Sequence, residues 1–268
     1  MTTPLELQSL AVEIAREAGA LAALRRREGV RVAATKSALA DIVTDADREV
    51  EDLIRARLAA ARPGDGFLGE ESGAGTSTSG ITWVVDPIDG TVNYAYGVPA
   101  YAVSIAAVEG PADPAEWTAL AGAVFNPAID ELFAAARGEG AWLASAIEGE
   151  RRLAVAEPSP AGALVGTGFG YDPATHAGDI ARLSTVMPLA RDIRRIGAAS
   201  LDLTGVAAGR LDAYYERGLH PWDHAAGALI IEEAGGRVGG YAGKRPGRAM
   251  TIAAAPLFFE RLTEVVSG

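Results

Sequence analysis

The sequence predicts an α/β fold, because segments of helical periodicity alternate with short β-branched and aromatic runs. The clearest strand is Ile81-Thr82-Trp83-Val84-Val85. The first segment is helical, with apolar residues every three or four positions at Leu7, Leu10, Ala11, Ile14, Ala15, Ala18 and Leu21. At 268 residues, 49% of them hydrophobic, the chain can form one large domain or two closely packed halves.

The remaining elements follow from caps and periodicity. Thr44 is a predicted N-cap, with Asp45 and Asp47 in the first turn and an apolar stripe from Val50 to Leu58. Further helices are predicted over 178–187, 200–208 and 221–234, and strands over 101–108, 121–125, 131–135, 163–168, 193–196, 212–216 and 249–254. Periodicity fades between 141 and 160. We therefore divide the chain into halves at 1–145 and 146–268 that share one catalytic unit.

Composition limits the classes of partner. Acidic residues outnumber basic ones by 35 to 24, which gives a net charge of -11 and disfavours direct nucleic-acid or anionic-membrane binding. A polyanionic substrate would also be repelled unless divalent cations intervene. There is no cysteine, no signal-peptide pattern at the start and no apolar run of membrane-spanning length. The expected location is cytoplasmic.

The segment Asp86-Pro87-Ile88-Asp89-Gly90-Thr91 is the most informative part of the chain. Pro87 cannot donate to a sheet ladder, so strand pairing is expected to end near Asp86. Both carboxylates then lie at the carboxyl end of a strand, where α/β sheets bind ligands. Gly90 permits close approach of the backbone, and Thr91 can begin a helix that binds an anion. An ordinary structural turn is the alternative interpretation.

Three further acids join the candidates. Glu70 and Glu71 are adjacent and precede a Gly- and Ser-rich loop, where a solvated acidic turn is the simpler interpretation. Asp223 lies in the first turn of a helix that Pro221 starts and that is almost wholly apolar afterwards. A carboxylate at a buried helix start needs partners.

Together Glu70, Glu71, Asp86, Asp89 and Asp223 form an all-oxygen set, which favours Mg²⁺. Two carboxylates about 5 Å apart repel by about 3 kcal/mol at an effective dielectric near 20. A converging set would be costly unless it bound cations or was partly protonated. Two or three divalent ions would neutralise the set and leave positive potential for a phosphate.

Three other patterns carry less weight. His220 and His224 have a spacing that can bind zinc, but Pro221 makes His220 the residue before the helix rather than a neighbour of His224 on one face. The run Gly166-Thr167-Gly168-Phe169-Gly170 is too loose for a dinucleotide fingerprint. The Arg191, Arg194 and Arg195 cluster is more typical of a subunit contact or a solvated face than of a phosphate site.

The chain resembles the magnesium-dependent, lithium-sensitive inositol monophosphatase family. The order and spacing of several motifs carry the resemblance from Lys36 onward: residues 41–47 (DIVTDAD), 69–72 (GEES), 83–94 around the acidic hexapeptide, 195–200 (RIGAAS), 212–216 (DAYYE), Trp222-Asp223, and 233–236 (EAGG). The resemblance implies a layered α-β-α-β-α sandwich of the sugar-phosphatase type, which is usually dimeric.

The resemblance also implies roles for individual residues. Glu70, Asp86 and the Ile88 carbonyl would bind a first Mg²⁺, and Asp86, Asp89 and Asp223 a second. A third ion would use Glu70, with Glu71 nearby through water. Gly90 and Thr91 would bind the phosphate, and Thr91 with Asp47 would help Glu70 to activate water.

The substrate implied by the resemblance is a small phosphorylated polyol or sugar, with myo-inositol monophosphate preferred. Glu216 and Asp223 would contact it, and Gly197, Ala198 and Ala199 would line the sugar; some members carry a hydroxyl residue at the position of Ala198. Relatives of this fold cleave histidinol phosphate, fructose-1,6-bisphosphate or phosphoadenosine phosphate. Some bacterial relatives are also binding partners of the transcription machinery.

Overall fold

The computed structural model describes residues 2–30, 32–35 and 42–268; Lys36 and Asp41, which belong to the motifs above, lie outside these ranges. The helices are α1 Pro4–Glu28, α2 Asp45–Ala61, α3 Thr91–Tyr96, α4 His176–Val186, α5 Ala199–Ala207, α6 Pro221–Glu233 and α7 Pro256–Ser267. The strands are β1 Val32–Thr35, β2 Ile42–Thr44, β3 Gly66–Gly69, β4 Gly73–Ala74, β5 Ile81–Asp89, β6 Ala102–Glu109, β7 Thr118–Asn126, β8 Glu131–Ala136, β9 Gly140–Ser145, β10 Gly149–Arg152, β11 Ala163–Thr167, β12 Ala190–Arg194, β13 Ala213–Glu216, β14 Arg237–Gly239 and β15 Thr251–Ala254.

Most strands belong to two sheets. The large sheet has eight strands in the order β10-β9-β8-β7-β6-β5-β3-β4, antiparallel except for the parallel pair β3 and β5. The small sheet has five strands in the order β12-β11-β13-β15-β14. Its first three strands are parallel, and β15 pairs antiparallel to both of its neighbours.

Three apolar cores define a five-layered sandwich. The first joins α1 and α2 to one face of the large sheet. The second joins the other face of that sheet to α5, α6 and the small sheet, and the third joins the far face of the small sheet to α4 and α7. Adjacent residues of β13 show the alternation, because Tyr214 lies in the second core and Tyr215 in the third. The predicted α-β-α-β-α layering is confirmed.

The local signals placed several elements correctly. Thr44 caps α2, where its backbone N–H and hydroxyl both donate to Asp47. Pro221 begins α6, and Gly235 follows α6 with a positive φ of 84°.

Other expectations need correction. Pairing of β5 does not stop at Asp86: the strand continues to Asp89, and a bulge between these two residues accommodates Pro87. The short strands β1, β2, β3, β4, β9, β10 and β14 and the helix α7 were not predicted. The division of the chain at 145 remains a prediction, although β9 and β10 continue the large sheet to Arg152.

No helix in the described part of the chain is both long enough and apolar enough to cross a bilayer.

Candidate active site

A cavity of about 680 Å³ opens where the carboxyl ends of β5 and β13 meet the amino ends of α5 and α6. It brings together eleven of the residues predicted from sequence, although they are far apart in the chain. These are Glu70, Asp86, Ile88, Asp89, Gly90, Thr91, Gly197, Ala198, Ala199, Glu216 and Asp223. Asp47 and Glu71 do not line the cavity, although Asp47 contacts the lining residue Thr91.

The bulge in β5 turns two carboxylates toward the cavity. Asp86 pairs in register with Ser104, whereas Asp89 pairs with Ala102, so the intervening residues form an irregular loop. The Ile88 N–H donates to Asp86 Oδ1 at 3.0 Å. Asp89 accepts from the Ala199 N–H at 3.2 Å, and from the N–H at 2.7 Å and the hydroxyl of Ser200.

These donors to Asp89 belong to the first turn of α5. Backbone N–H groups at a helix start have no partner inside the helix, and the helix dipole favours a negative charge there. The helix therefore holds a carboxylate of the other half of the chain. Ser200 belongs to the 195–200 motif, but the sequence interpretation did not assign it a role at the site.

Asp223 is held in a similar way at the start of α6. Its Oδ2 accepts from the His220 N–H at 2.7 Å, as in a capping box. Because this helix packs in the second core, its first turn is fixed against the large sheet.

Burial and mutual repulsion dominate the electrostatics. The pKa of Asp86 is raised well above its usual value, first by burial and then by the charges of Glu70, Asp89 and Asp223. The pKa of Asp223 is also raised well above its usual value, by burial and by Asp89 and Glu70. Burial raises the pKa of Asp89, although the bonds from Ser200 and Ala199 oppose this rise. The carboxylates are thus close enough to interact strongly.

This donor set fits a hard cation. Carboxylate oxygens and a backbone carbonyl are the ligands that Mg²⁺ takes, and a cation would offset both the burial of these charges and the repulsion that acts on Asp86 and Asp223. Within the described ranges, however, no three His, Asp or Glu side chains form a preassembled metal-ligand group. Asp86, Asp89 and Asp223 accept hydrogen bonds from nearby N–H groups, and each carboxylate keeps further lone pairs that a cation could use.

Thr91, the first residue of α3, contacts Asp47 of α2. Thr91 Oγ1 lies 3.2 Å from Asp47 Oδ1 and 3.1 Å from the Ile88 carbonyl oxygen. Burial raises the pKa of Asp47 to about 6, against the opposing bonds from Thr44. Gly90 has a φ of 87°, and a Cβ there would lie 2.9 Å from the Ala100 carbonyl oxygen, so only glycine fits.

The opposite wall carries the residues assigned to the substrate. Asn93 Nδ2 donates to the carbonyl oxygens of Ala100 and Ile196 at 2.8 and 2.9 Å, which ties α3 to the segment before Gly197. Tyr214 donates its hydroxyl to Glu216, and burial raises the pKa of Glu216 to about 7.

Several lining residues were not predicted as part of the site. The rim includes Phe169, Tyr171, Arg195, Arg217, Trp222 and Arg248. Of these, Arg217 Nε donates to the buried Asp179 at 3.1 Å. The sequence signals were the presence of Arg195 and Trp222 in the family motifs and of Phe169 in the glycine-rich run. Of the arginine cluster interpreted as a subunit contact or solvated face, Arg195 lines the cavity, whereas Arg191 and Arg194 do not.

The alternative zinc pair does not form. His224 is 1% exposed and packs near Trp117, whereas His220 precedes α6 and stacks on Trp222. The two rings therefore face different surroundings.

Comparison with known proteins agrees with this geometry. A sequence model described as the inositol monophosphatase family matches residues 4–267. An inositol-1-monophosphatase of Mycobacterium bovis is 46% identical over 249 residues, which cover 88% of this chain and 84% of that protein. The Nus factor SuhB of Pseudomonas aeruginosa is 39% identical over 248 residues, which cover 88% of this chain and 85% of that protein.

A solved structure gives the same result. SuhB of Mycobacterium tuberculosis superposes with a TM-score of 0.83 at 44% identity, over 99% of this chain and 97% of that chain. The five-layered sandwich and its acidic cavity define a phosphatase of the sugar-phosphatase fold. The chain belongs to the inositol monophosphatase family.

Proposed function

We propose that the protein is a magnesium-dependent phosphomonoesterase that hydrolyses myo-inositol monophosphate to inositol and phosphate with an activated water. The observation that carries the proposal is the convergence of Glu70, Asp86, Asp89 and Asp223 on one cavity. The names of the relatives support inositol phosphate as the substrate, because the protein of Mycobacterium bovis is an inositol-1-monophosphatase.

Two or three Mg²⁺ ions would be held by this chain's oxygen atoms. Glu70, Asp86 and the Ile88 carbonyl form one ligand set, and Asp86, Asp89 and Asp223 form another. A third set uses Glu70, with Glu71 nearby through water. When bound, Mg²⁺ supplies positive charge that lowers the pKa of a bound water and stabilises the leaving oxygen.

The attacking water is activated by Glu70, with help from Thr91 and Asp47, which draw a proton away from it. Thr91 Oγ1 donates toward Asp47 or Ile88, so one of its lone pairs is available to accept from a water in the cavity. Asp47 has a pKa of about 6 and is therefore mostly ionised at pH 7. The alcohol product receives one proton, and the other stays with the phosphate.

Other residues of the cavity would hold the substrate in position. Gly90 and Thr91 bind the phosphate, and Gly197, Ala198 and Ala199 line the ring. Glu216 and Asp223 accept hydrogen bonds from ring hydroxyls. Charge–hydroxyl hydrogen bonds of this type discriminate strongly against analogues that lack the hydroxyl.

A phosphate-release assay tests the proposal. The panel is inositol-1-phosphate, histidinol phosphate, fructose-1,6-bisphosphate and phosphoadenosine phosphate, each with and without Mg²⁺. We expect inositol-1-phosphate to give the highest kcat/KM and chelation to abolish release. A higher kcat/KM for another substrate would reassign the enzyme within the fold, and uniformly low rates would refute the catalytic proposal.

A second candidate function is binding to the transcription machinery, in a cytoplasmic homodimer. The observation that favours it is the relative named Nus factor SuhB in Pseudomonas aeruginosa. Purified RNA polymerase passed over immobilised wild-type and Asp86→Asn protein would separate the roles. Equal retention on both proteins would indicate a binding role that does not need the metal site, and no retention on either would exclude it.

A further inference from the structure

Two buried carboxylates of α2 contact the segments that carry the candidate site residues. Asp47 and Glu51 are one helical turn apart, and each is 1% exposed. Carboxylates are rarely buried so completely unless they have partners. Asp47 contacts Thr91 at the start of α3, whereas Glu51 contacts the other acidic segment of the site.

That contact is a hydrogen bond to the backbone. The Glu71 N–H donates to Glu51 Oε2 at 2.8 Å. One residue earlier, the Glu70 N–H donates to the Val85 carbonyl oxygen at 3.2 Å, next to Asp86. The two successive N–H groups are therefore anchored to α2 and to β5.

Gly69 makes this approach possible. A Cβ at residue 69 would lie 2.7 Å from Glu51 Cδ, and it would also overlap the carboxylate oxygen Oε2 and the Phe67 ring. Any larger residue would push the Glu51 carboxylate away from the turn. The glycine at this position is thus explained by the glutamate on the helix rather than by its own backbone angles.

The other carboxylate oxygen of Glu51, Oε1, makes no comparable hydrogen bond within the described part of the chain. Oε1 has no hydrogen-bond donor among the described residues, and the nearest ion-pair partner, Arg55 Nη2, is 3.6 Å away. A buried carboxylate with one unsatisfied oxygen is costly. Its contact with the Glu71 N–H is therefore a candidate for a functional reason.

We propose that Glu51 is a positioning residue for the cation-binding turn: by accepting the Glu71 N–H, it fixes the peptide that orients Glu70 toward Asp86. The inference rests on the proposed function in that Glu70 is taken as a cation ligand. Glu51 itself touches neither cation nor substrate.

The test compares Glu51→Ala, which removes the acceptor, with Glu51→Gln, which keeps an acceptor oxygen without the charge. Asp52→Ala is the matched control, because Asp52 is exposed on the same helix and also pairs with Arg55, at 3.0 Å. The readouts are Mg²⁺ affinity by calorimetry, the Mg²⁺ concentration for half-maximal activity, and hydrogen exchange of the Glu71 amide.

We expect Glu51→Ala to weaken Mg²⁺ binding by about 10- to 100-fold, as for other partners that orient a ligand. The Glu71 amide should exchange at least about tenfold faster, in keeping with the loss of a hydrogen bond to a charged acceptor. Glu51→Gln should restore most of both properties, and Asp52→Ala should leave both unchanged.

If Glu51→Ala does not fold, Gly69→Ala provides a second test. The added methyl group displaces the Glu51 carboxylate from the Glu71 N–H, so this variant should also weaken Mg²⁺ binding by about 10- to 100-fold. Unchanged Mg²⁺ binding and Glu71 exchange would overturn the inference, and so would a Glu51→Gln protein as impaired as Glu51→Ala. If wild-type protein fails to bind Mg²⁺, the proposed function fails instead, whereas the Glu71 exchange still reports whether the contact exists.

Discussion

Two buried acids in the large sheet, Glu131 and Asp86, have opposite surroundings. Glu131, at the start of β8, is 6% exposed and accepts two bonds from Arg210, at 2.5 and 2.6 Å. Asp86, in β5, is 2% exposed and faces Glu70, Asp89 and Asp223. One acid thus has a cation from its own chain, and the other faces like charges.

The difference indicates what each site is for. The two parallel hydrogen bonds from the Arg210 guanidinium compensate the charge of the buried Glu131 carboxylate within the folded chain itself. A cluster of like charges is costly by itself, and it becomes favourable when a cation arrives from solution. We therefore interpret the β8 pair as structural and the β5 cluster as a site for an external cation.

The largest expected effect comes from removing the central charge of the β5 cluster. Asp86→Asn should lower kcat by about 10²–10³-fold or more, the scale of losing a key electrostatic group in an active site. Without Mg²⁺ the variant should melt at a higher temperature than wild type, because the pKa of Asp86 is raised first by burial of its charge and then by repulsion from Glu70, Asp89 and Asp223, and a neutral amide removes both costs. Phosphate release measures the first effect and calorimetry the second. Near-normal turnover would mean that the β5 cluster is not the catalytic cation site.

Asp202 extends the comparison to a buried acid outside both groups. It lies in α5, is 1% exposed, and its Oδ1 has no hydrogen-bond donor among the described residues. Burial, followed by repulsion from Glu216 and Asp89, raises its pKa to about 9. The folded protein therefore holds a proton here that the unfolded chain loses near pH 4.

The contribution of Asp202 to stability becomes more unfavourable as the pH rises. A raised acid pKa costs nothing below pH ~4, and the cost grows with pH until about pH 9. Asp202→Asn should thus be more stable than wild type by ~2–4 kcal/mol at pH 7. Denaturant melts at pH 5, 7 and 9 should show a widening gap. A constant gap, or a less stable variant, would mean that Asp202 is ionised.

Breaking the internal pair should have a smaller and different effect. Glu131→Gln should cost ~1–3 kcal/mol of folding free energy, because Arg210 is partly exposed and can be solvated. The loss should be the same with and without Mg²⁺, and kcat should not change. A Mg²⁺-dependent loss of stability would link this pair to the cation site after all.

The smallest effect belongs to an exposed pair. Arg16 and Asp130 are 3.4 Å apart, with side chains 44% and 58% exposed. Asp130→Asn should change stability by less than ~0.5 kcal/mol, since solvent already screens this pair. The asparagine also tolerates the positive φ of 53° at this position. A larger loss in a thermal melt would mean that exposure is a poor guide to the value of ion pairs in this protein.

Local signals in the sequence predicted much of the fold. The cap at Thr44, Pro221 at the start of α6 and the strand at Ile81 all depend on neighbouring residues. The layering came from the family resemblance. The continuation of β5 past Pro87 was missed, because a bulge depends on the partner strand, which a single segment does not reveal.

The candidate site divides in the same way. The carboxylates were visible as motifs, and Ala199 and Ser200 stood in the 195–200 motif, but their role as hydrogen-bond donors to Asp89 was not predicted. Ser200 reaches Asp89 across 111 positions of sequence, a contact that only tertiary packing creates. Glu51 did leave a signal, because it adjoins Val50 and Ile54 of the apolar stripe of α2, where a charged residue is out of place.

Isothermal titration of Mg²⁺ into wild-type protein and into Asp86→Asn shows whether the carboxylates around Asp86 bind a cation. We expect wild type to bind Mg²⁺ with a rise in melting temperature, and Asp86→Asn to lose most of this binding while remaining folded. Absence of heat and of any thermal shift in wild type, or equal binding by both proteins, would contradict this expectation.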